Sequence, residues 1–251
     1  MKHKILIAGA FFMLLISAGA QNLKSHNHTV ALNIQQIKES LNYGMVFRGP
    51  GLGYAYSARW EDEKRIMEYQ GRVSFNVPMT KGIIAASLNV VPARFDYLFK
   101  TGPEGHFSAG PFAILEYNYE FYPDLQSGYS FWLTHYSLGG ALAGWFKQGE
   151  SRIELSLHFT ILGLTSRTRP YDDPYFFDAG FGDIIGFLHT DFQFGSLGKY
   201  SVDELEIRWT PKAASRLAWA YAFQYYGYFD DPEFTMLNHC LRLIILPKKN
   251  K

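Results

Sequence analysis

The feature of this sequence that most constrains its fold is an alternation of apolar and polar side chains with a period of two residues. Between 52 and 60 the even positions carry leucine, tyrosine, alanine and tryptophan, whereas the odd positions carry small or polar residues. The segments 68–77, 115–121, 153–159 and 204–209 repeat the pattern with charged residues on the polar parity. Successive side chains of a β-strand point to opposite faces, so this periodicity predicts strands rather than helices.

Turn-forming residues separate the alternating segments and leave about ten strands, with eight to twelve as the compatible range. Most connections are short, as in an up-and-down meander. An aromatic content of 17% also suits a barrel with aromatic girdles at two membrane interfaces. The predicted fold class is therefore all-β, a closed antiparallel up-and-down transmembrane β-barrel, because closure removes the strand edges that lipid does not tolerate.

The N-terminal segment has the pattern of an export signal. Residues 1–20 begin with basic residues, continue through an apolar run at 5–16, and end in small residues at 18–20. This pattern predicts cleavage near Ala20. The single cysteine, Cys240, lies far from that junction, so we expect neither a lipid-modified N-terminus nor an intrachain disulfide. The expected location is the outer membrane of a Gram-negative bacterium.

The predicted domain organisation has three parts. After the signal peptide at 1–20, residues 21–50 are interpreted as an N-terminal periplasmic segment or plug, and residues 51–247 as the outer-membrane barrel. Val30, Ile34, Ile37 and Leu41 recur at helical spacing and predict a short amphipathic helix, while a first strand is the other choice.

Two irregularities affect the strand assignment. Beyond Pro92 the alternation shifts its phase, which predicts a β-bulge at that proline. An even number of strands places both chain ends in the periplasm. The strands counted from residue 52 then place the long connection at 167–182 on the periplasmic side as well, an unusual position that points either to an error of one in the count or to an unrecognised strand.

The polar parity, if it faces inward, fills the barrel with charges of both signs. A barrel of about ten strands is only slightly wider than one whose interior is filled by side chains, so we expect paired networks that block the lumen. A narrow channel through the same residues is the alternative. The predicted polar network of the lumen consists of Arg59, Glu68, Arg72, Glu116, Glu120, Arg152, Glu154, His158, Asp191, Glu204, Glu206 and Arg208.

The alternation alone leaves a second architecture open. In a soluble exported carrier of the lipocalin type, the apolar parity would face inward and the charged parity would face water. The gathering of aromatic residues toward strand ends favours the membrane barrel. With 24 basic and 23 acidic side chains, the net charge of +1 argues against nucleic-acid binding.

A possible catalytic pair lies at His135 and Ser137, two residues apart and hence on one face of a strand. The segment partly resembles the His-x-Ser-Asn-Gly motif of outer-membrane phospholipase A and a similar element of lipid A 3-O-deacylases. That resemblance implies a lipid acyl hydrolase with His135 as base and Ser137 as nucleophile. Leu138 stands where those families carry Asn. The favoured interpretation is a small polar pair beside Gly139 and Gly140 in a crowded interior.

Two groups of residues have side chains that metal ions bind. Asp172, Asp173 and Asp178 in the long connection could supply oxygen ligands to Ca²⁺, but their spacing matches no calcium loop. His26 and His28 could bind a transition metal, although a terminal tail is the favoured interpretation. No cofactor is therefore predicted.

The pattern of the whole mature chain, with its Ala20-Gln21 junction and Tyr-rich strands, resembles the small outer-membrane barrels of Bacteroidota. That resemblance implies a location and no chemistry. The functional hypothesis is a non-enzymatic outer-membrane barrel with a side-chain-filled polar lumen and a structural or partner-binding role in the cell envelope. Its expected partners are outer-membrane lipid, the barrel assembly machinery and other envelope proteins.

Overall fold

The computed structural model describes residues 23–101, 106–124, 129–167, 186, 188–212, 215–230 and 233–247. The predicted signal peptide and its cleavage site lie outside these residues. One 3₁₀ turn spans Ser40–Asn42, and no helix in the described ranges is long and apolar enough to cross a membrane. The strands are β1 (Leu23–Glu39), β2 (Val46–Glu61), β3 (Arg65–Asn76), β4 (Met79–Thr80), β5 (Ile83–Ile84), β6 (Ala86–Thr101), β7 (Phe107–Tyr122), β8 (Tyr129–Gln148), β9 (Ser151–Arg167), β10 (Gln193–Ser196), β11 (Tyr200–Thr210), β12 (Leu217–Tyr228) and β13 (Phe234–Ile245).

Ten of the described strands form a closed antiparallel barrel. The ring runs β1-β2-β3-β6-β7-β8-β9-β11-β12-β13, and β13 pairs back with β1 along twelve residues, from His28↔Ile245 to Glu39↔Phe234. The short β4 and β5 form a small hairpin between β3 and β6, and β10 pairs with β9 ahead of β11. The predicted closed up-and-down barrel of about ten strands is confirmed.

The N-terminal segment corrects the predicted domain boundary. Within the described residues 23–50 there is no separate plug, because β1 pairs with β2 on one side and with β13 on the other and so closes the barrel. Val30, Leu32 and Ile34 are 48–58% exposed on the outer face, whereas Asn33 and Gln35 are buried inside. Val30 and Ile34 therefore also fit the outward parity of a strand, whereas Ile37 falls on the inward parity and is buried, and pairing with two neighbouring strands selects the strand.

The closing strand also changes the side on which the long connection lies. One end of the barrel, here called the terminal end, carries both ends of the paired chain and the short connections at 62–64, 102–106, 149–150 and 211–216. At the opposite, distal end β1, β3, β7, β9 and β12 end and β2, β6, β8, β11 and β13 begin. The long connection that follows β9 therefore leaves from the distal end and returns there, although residues 168–185 and 187 of it lie outside the described residues. The expectation that it shares a side with the chain ends is wrong, because that count left out β1.

The bulge predicted at Pro92 is confirmed. The register shifts between Gln70 and Arg72 where β3 meets β6, and between Val90 and Ala93 where β6 meets β7. Val91 is consequently buried inside. The bulge turns the polar residues that follow it into the lumen, where they join the charged network.

The barrel has an apolar outer face and a polar inner face. Large apolar side chains protrude outward, as with Leu52 at 62% exposure and Leu241 at 50%. The ring strands have 11 to 20 residues, which is enough to cross a bilayer at the usual tilt. The soluble carrier with an apolar interior is therefore wrong, and these strands have the arrangement of a transmembrane barrel.

Candidate functional site

The centre of the lumen is organised around the carboxylate of Glu204 on β11. Three arginines from different strands reach it: Arg72 Nη1 lies 2.9 Å from Oε2, while Arg94 Nη1 and Arg242 Nη1 lie 3.1 and 3.2 Å from Oε1. Gln224 on β12 donates to the same carboxylate. All four charged side chains are at most 10% exposed. These charged groups meet because each lies at an inward-facing position of its strand, β3, β6, β11 or β13.

Each of these arginines also faces a second carboxylate. Arg94 lies 3.6 Å from Asp96, Arg72 lies 3.7 Å from Glu116, and Arg242 donates to Glu206. Buried charges are tolerated when opposite partners and hydrogen bonds offset their desolvation. Positive and negative side chains therefore alternate across the lumen and do not form a ring of one charge.

The network extends toward the terminal end through Arg208 on β11. Its Nη2 lies 2.9 Å from Glu206 Oε1, and its Nη1 lies 3.6 Å from Glu154 Oε2 on β9. Glu154 also pairs with Arg152 at 2.7 Å. The contact from β11 to β9 is a direct cross-strand pair, since Arg208 is in register with Glu154.

The proposed catalytic pair lies inside this network. His135 and Ser137 are both buried in the lumen, and Nε2 of His135 lies 3.1 Å from Glu116 Oε2. The hydroxyl of Ser137 bonds to Tyr200 at 2.9 Å. No hydrogen bond joins Ser137 to His135 in the described part of the chain. A serine without an oriented base is not activated, so this arrangement resembles a packed polar pair more than a nucleophile.

Aromatic and aliphatic side chains close the distal side of the lumen. Nη2 of Arg167 contacts both carboxylate oxygens of Glu39 at 2.5 and 2.6 Å, and its guanidinium lies 5.0 Å from the Phe234 ring. The Tyr122 hydroxyl donates to Glu120 at 2.5 Å. A further cluster of buried side chains in this layer contains Phe47, Ala85, Tyr122 and Phe131.

Two cavities adjoin the charged network. A cavity of about 70 Å³ lies at the terminal end, and its inner wall is the layer of Arg94 and Glu206. A smaller one of about 20 Å³ adjoins Asn33, Gln224 and Arg242. Such volumes hold a few water molecules and one, respectively. Asn33 lines the smaller cavity, and its buried Oδ1 has no hydrogen-bond partner among the described residues.

The remaining predicted network members have separate positions. Arg59 pairs with Glu61 at 3.3 Å near the terminal end, and Glu68 lines the larger cavity. His158 lies 3.3 Å from Asp96. Asp191 is corrected: it is exposed in a bend outside the ring strands, with a left-handed φ of 50°.

The segment before β10 lies on the outer face, which explains the position of Asp191. Residues 188–192 form no strand, and Nε2 of His189 lies 3.0 Å from the outward-facing hydroxyl of Tyr117. The next strand begins only at Gln193, the first residue of β10. Asp172, Asp173 and Asp178 lie outside the described residues. Within the described ranges, no group of three His, Cys, Asp or Glu side chains could hold a metal ion.

Several members of the network were not predicted from the sequence. Arg94 and Asp96 follow the bulge, and the phase shift at Pro92 was the signal that they face inward. Arg242 alternates with Leu241 and Leu243, so its parity also indicated the lumen. The pair of Glu39 and Arg167 had no such signal, since the helix predicted around Ile37 left the inward parity of Glu39 undefined.

The fold and the lumen together define a transmembrane β-barrel whose interior is filled by paired charges. No protein-family model matches the chain, and no curated protein matches it. Among solved structures, the chain is similar to the translocator domain of the autotransporter NalP from Neisseria meningitidis, with 6% identity, coverage of 98% of this chain and 96% of that chain, and a TM-score of 0.45. It is also similar to the β-domain of the Bordetella autotransporter BrkA, with 10% identity, 88% and 99% coverage, and a TM-score of 0.42.

A third similar structure is an outer-membrane channel from Pseudomonas putida F1, with 9% identity, coverage of 91% of this chain and 97% of that chain, and a TM-score of 0.41. At these scores the likenesses extend no further than barrel architecture. The fold assignment rests on the strand pairing of the chain itself.

Proposed function

We propose that this protein is a non-conducting, non-enzymatic barrel of the outer membrane, with a structural or partner-binding role in the cell envelope. The observation that carries the proposal is the filling of the lumen. Glu204 holds three arginines across the barrel axis, and the aromatic layer with Phe47 and Tyr122 lies distal to them. Mixed-sign pairing of this kind leaves no ring of one sign to select ions.

The orientation follows from the lengths of the connections. Bacterial outer-membrane barrels have short periplasmic turns and longer extracellular loops. The terminal end has the short turns, as in the two-residue connection at 149–150, so we place it in the periplasm. The distal connections then face the cell exterior. The outer apolar face contacts outer-membrane lipid, and insertion requires the barrel assembly machinery.

A partner protein in the cell envelope would bind at the distal surface. Tyr43 follows the 3₁₀ turn between β1 and β2, adopts a left-handed φ of 56°, and is 91% exposed. A photo-crosslinking residue at Tyr43 should yield a discrete higher-mass product in intact cells if the role is partner binding. The same residue at Glu63, in a terminal-end turn, is the control. Equal labelling patterns at both positions would leave only the structural role.

Electrical recording tests the filled lumen. Purified folded protein in a planar bilayer should give no discrete conductance steps, whereas a porin reconstituted from the same detergent should. Folding of the recorded sample is checked by the faster gel migration of unboiled protein. Reproducible steps from the folded protein would overturn the non-conducting role and support the narrow channel.

A further inference from the structure

Three exposed basic residues lie together on the outer face of the barrel at its distal end. Lys38 is near the end of β1, Arg48 is near the start of β2, and Lys81 is in the turn between β4 and β5. Lys38 follows Ile37, which is buried inside, and therefore points outward. Arg48 points outward for the same reason, since it follows the buried Phe47. These three residues are called the basic cluster below.

Strand pairing places the three cations around one point. Arg48 is in register with Gln36 on β1 and with Met79 on β4. Lys38 is two residues beyond Gln36, and Lys81 is two residues beyond Met79, in both cases toward the distal end. Adjacent strands lie about 4.8 Å apart, so the two lysines flank β2 with a backbone separation of roughly 10 Å. The long side chains of all three residues can therefore reach one ligand.

The basic cluster keeps a net positive charge. In the part of the chain that the structure describes, none of its three cations forms an ion pair, whereas the exposed Lys199 contacts Asp230 at 2.9 Å. The nearest acidic residue of the β4–β5 hairpin region is Asp124, whose carboxylate accepts a hydrogen bond from the Ile84 N–H at 2.9 Å. One carboxylate against three cations leaves an attraction for an anion.

Arg48 is held in an orientation that suits an oxyanion. Its Nη2 donates to Oε1 of Gln36 on the neighbouring strand. Its other N–H groups form no hydrogen bond within the described ranges. A guanidinium presents its donors in a planar fork that matches two oxygens of a phosphate, and lysines add point charges beside it.

Apolar side chains adjoin the cluster on the membrane side. Leu52, four residues after Arg48 on β2, is 62% exposed on the outer face. Met79 and Ile84, which pair with each other beside Arg48, are 48% and 46% exposed. The cluster therefore lies at the border between the apolar band of the barrel and the polar headgroups. A ligand with both a phosphate and acyl chains fits this border, whereas a free anion would contact the cations alone.

We infer that the basic cluster binds the headgroup phosphate of a membrane lipid. The Arg48 guanidinium bonds to two phosphate oxygens, Lys38 and Lys81 lie on either side, and the acyl chains pack along Leu52 and Met79. A phosphomonoester carries a charge of about −1.5 to −2 at pH 7 and so matches three cations better than a singly charged phosphodiester does. The inference rests on the proposed position in a membrane, but neither on a closed lumen nor on the side that the distal end faces.

The test is native mass spectrometry of the full-length folded protein in detergent micelles, with dioleoyl phosphatidic acid as the probe. Dioleoyl phosphatidylglycerol and dioleoyl phosphatidylcholine are the comparison lipids. We expect one molecule of phosphatidic acid to bind, roughly tenfold or more tightly than phosphatidylglycerol, because of its additional charge. Inorganic phosphate at the same concentration should leave this complex intact, since it has no acyl chains. Displacement by inorganic phosphate would assign the site to a free anion and overturn the lipid ligand.

Variants make the result specific to the cluster. Arg48→Gln and Lys81→Gln should each weaken the binding of phosphatidic acid by roughly tenfold. Arg48→Lys keeps the charge without the fork and should restore only part of the affinity. Lys64→Gln is the matched control, because it removes the same charge from an exposed turn at the terminal end.

Folding of every sample is checked by the faster gel migration of unboiled protein. Lys81→Gln alters an exposed turn and decides the question by itself if Arg48→Gln does not fold. Equal binding of the three lipids by the folded wild type, or equal losses in Lys81→Gln and Lys64→Gln, would overturn the lipid site and leave the barrel unaffected. A wild type without the gel shift would instead contradict the proposed membrane barrel, and the site with it.

Discussion

Removing the charge of Glu204 is the perturbation that tests the lumen network most sharply. In Glu204→Gln the side chain keeps its shape, but Arg72, Arg94 and Arg242 lose the carboxylate that they share. Breaking one buried ion pair costs about 3–5 kcal/mol. Each arginine retains a second carboxylate within 4.0 Å, so we expect the lower end, about 3 kcal/mol. That corresponds to a roughly hundredfold change in the ratio of folded to unfolded protein.

Reversible urea unfolding in phospholipid vesicles, followed by tryptophan fluorescence and gel mobility, measures this loss. For m-values of roughly 1–3 kcal/mol/M, the midpoint should fall by about 1–3 M. Glu150→Gln removes one partner of an exposed pair with Lys212 and should change the free energy of unfolding by less than about 1 kcal/mol. Equal midpoints for Glu204→Gln and the wild type would refute the view that this carboxylate holds the network together.

Three further predictions concern other parts of the barrel. Ser137→Ala should lower the free energy of unfolding by about 1 kcal/mol through loss of the bond to Tyr200 and should leave phospholipid hydrolysis by the purified protein unchanged; a hydrolase activity that this variant abolishes would contradict it. Gly110→Ala would place a Cβ 2.0 Å from the carbonyl oxygen of Tyr97 and should destabilise the barrel by about 1–3 kcal/mol, whereas Gly144→Ala, whose nearest neighbour lies at 3.7 Å, should be tolerated in the same unfolding assay. The Lys64 backbone N–H donates to the Asp62 carboxylate at 2.8 Å and holds the pKa of Asp62 below its usual value. The stability that this turn contributes is therefore present above about pH 4 and is lost as the pH falls through the pKa of Asp62 in the folded protein. The wild type should lose stability relative to Asp62→Asn over that pH interval, and a constant difference in the free energy of unfolding would contradict this role of the turn.

The barrel was predictable from the sequence because the alternation is a local property of each strand. A local pattern also explains why a helix was predicted for the segment that forms β1. Val30, Ile34 and Ile37 recur at helical spacing, but in the strand Val30 and Ile34 face outward while Ile37 is buried inside, and pairing with β2 and β13 decides between the two structures. The distal position of the long connection then follows from including β1.

The members of the lumen network were partly predictable, since inward parity identifies many of them. The pairs were not, because Arg72 and Glu204 are 132 residues apart and meet across the barrel axis. Sequence spacing contains no information about such contacts. The buried bond from Ser137 to Tyr200 is of the same kind, since strands β8 and β11 are not neighbours in the ring.

The central claim is a barrel with an apolar outer face and a polar inner face that is closed by its first strand. Its most direct test is a spin-label scan of residues 30–37 in the protein reconstituted in phospholipid vesicles, with Cys240 replaced by Ala. The accessibility of each label to oxygen and to a water-soluble nickel reagent would be measured. We predict a period of two, with high oxygen accessibility at Val30, Leu32 and Ile34 and low accessibility to both reagents at Asn33 and Gln35. A helical period, or uniform accessibility to the nickel reagent, would show that this segment lies outside the barrel wall.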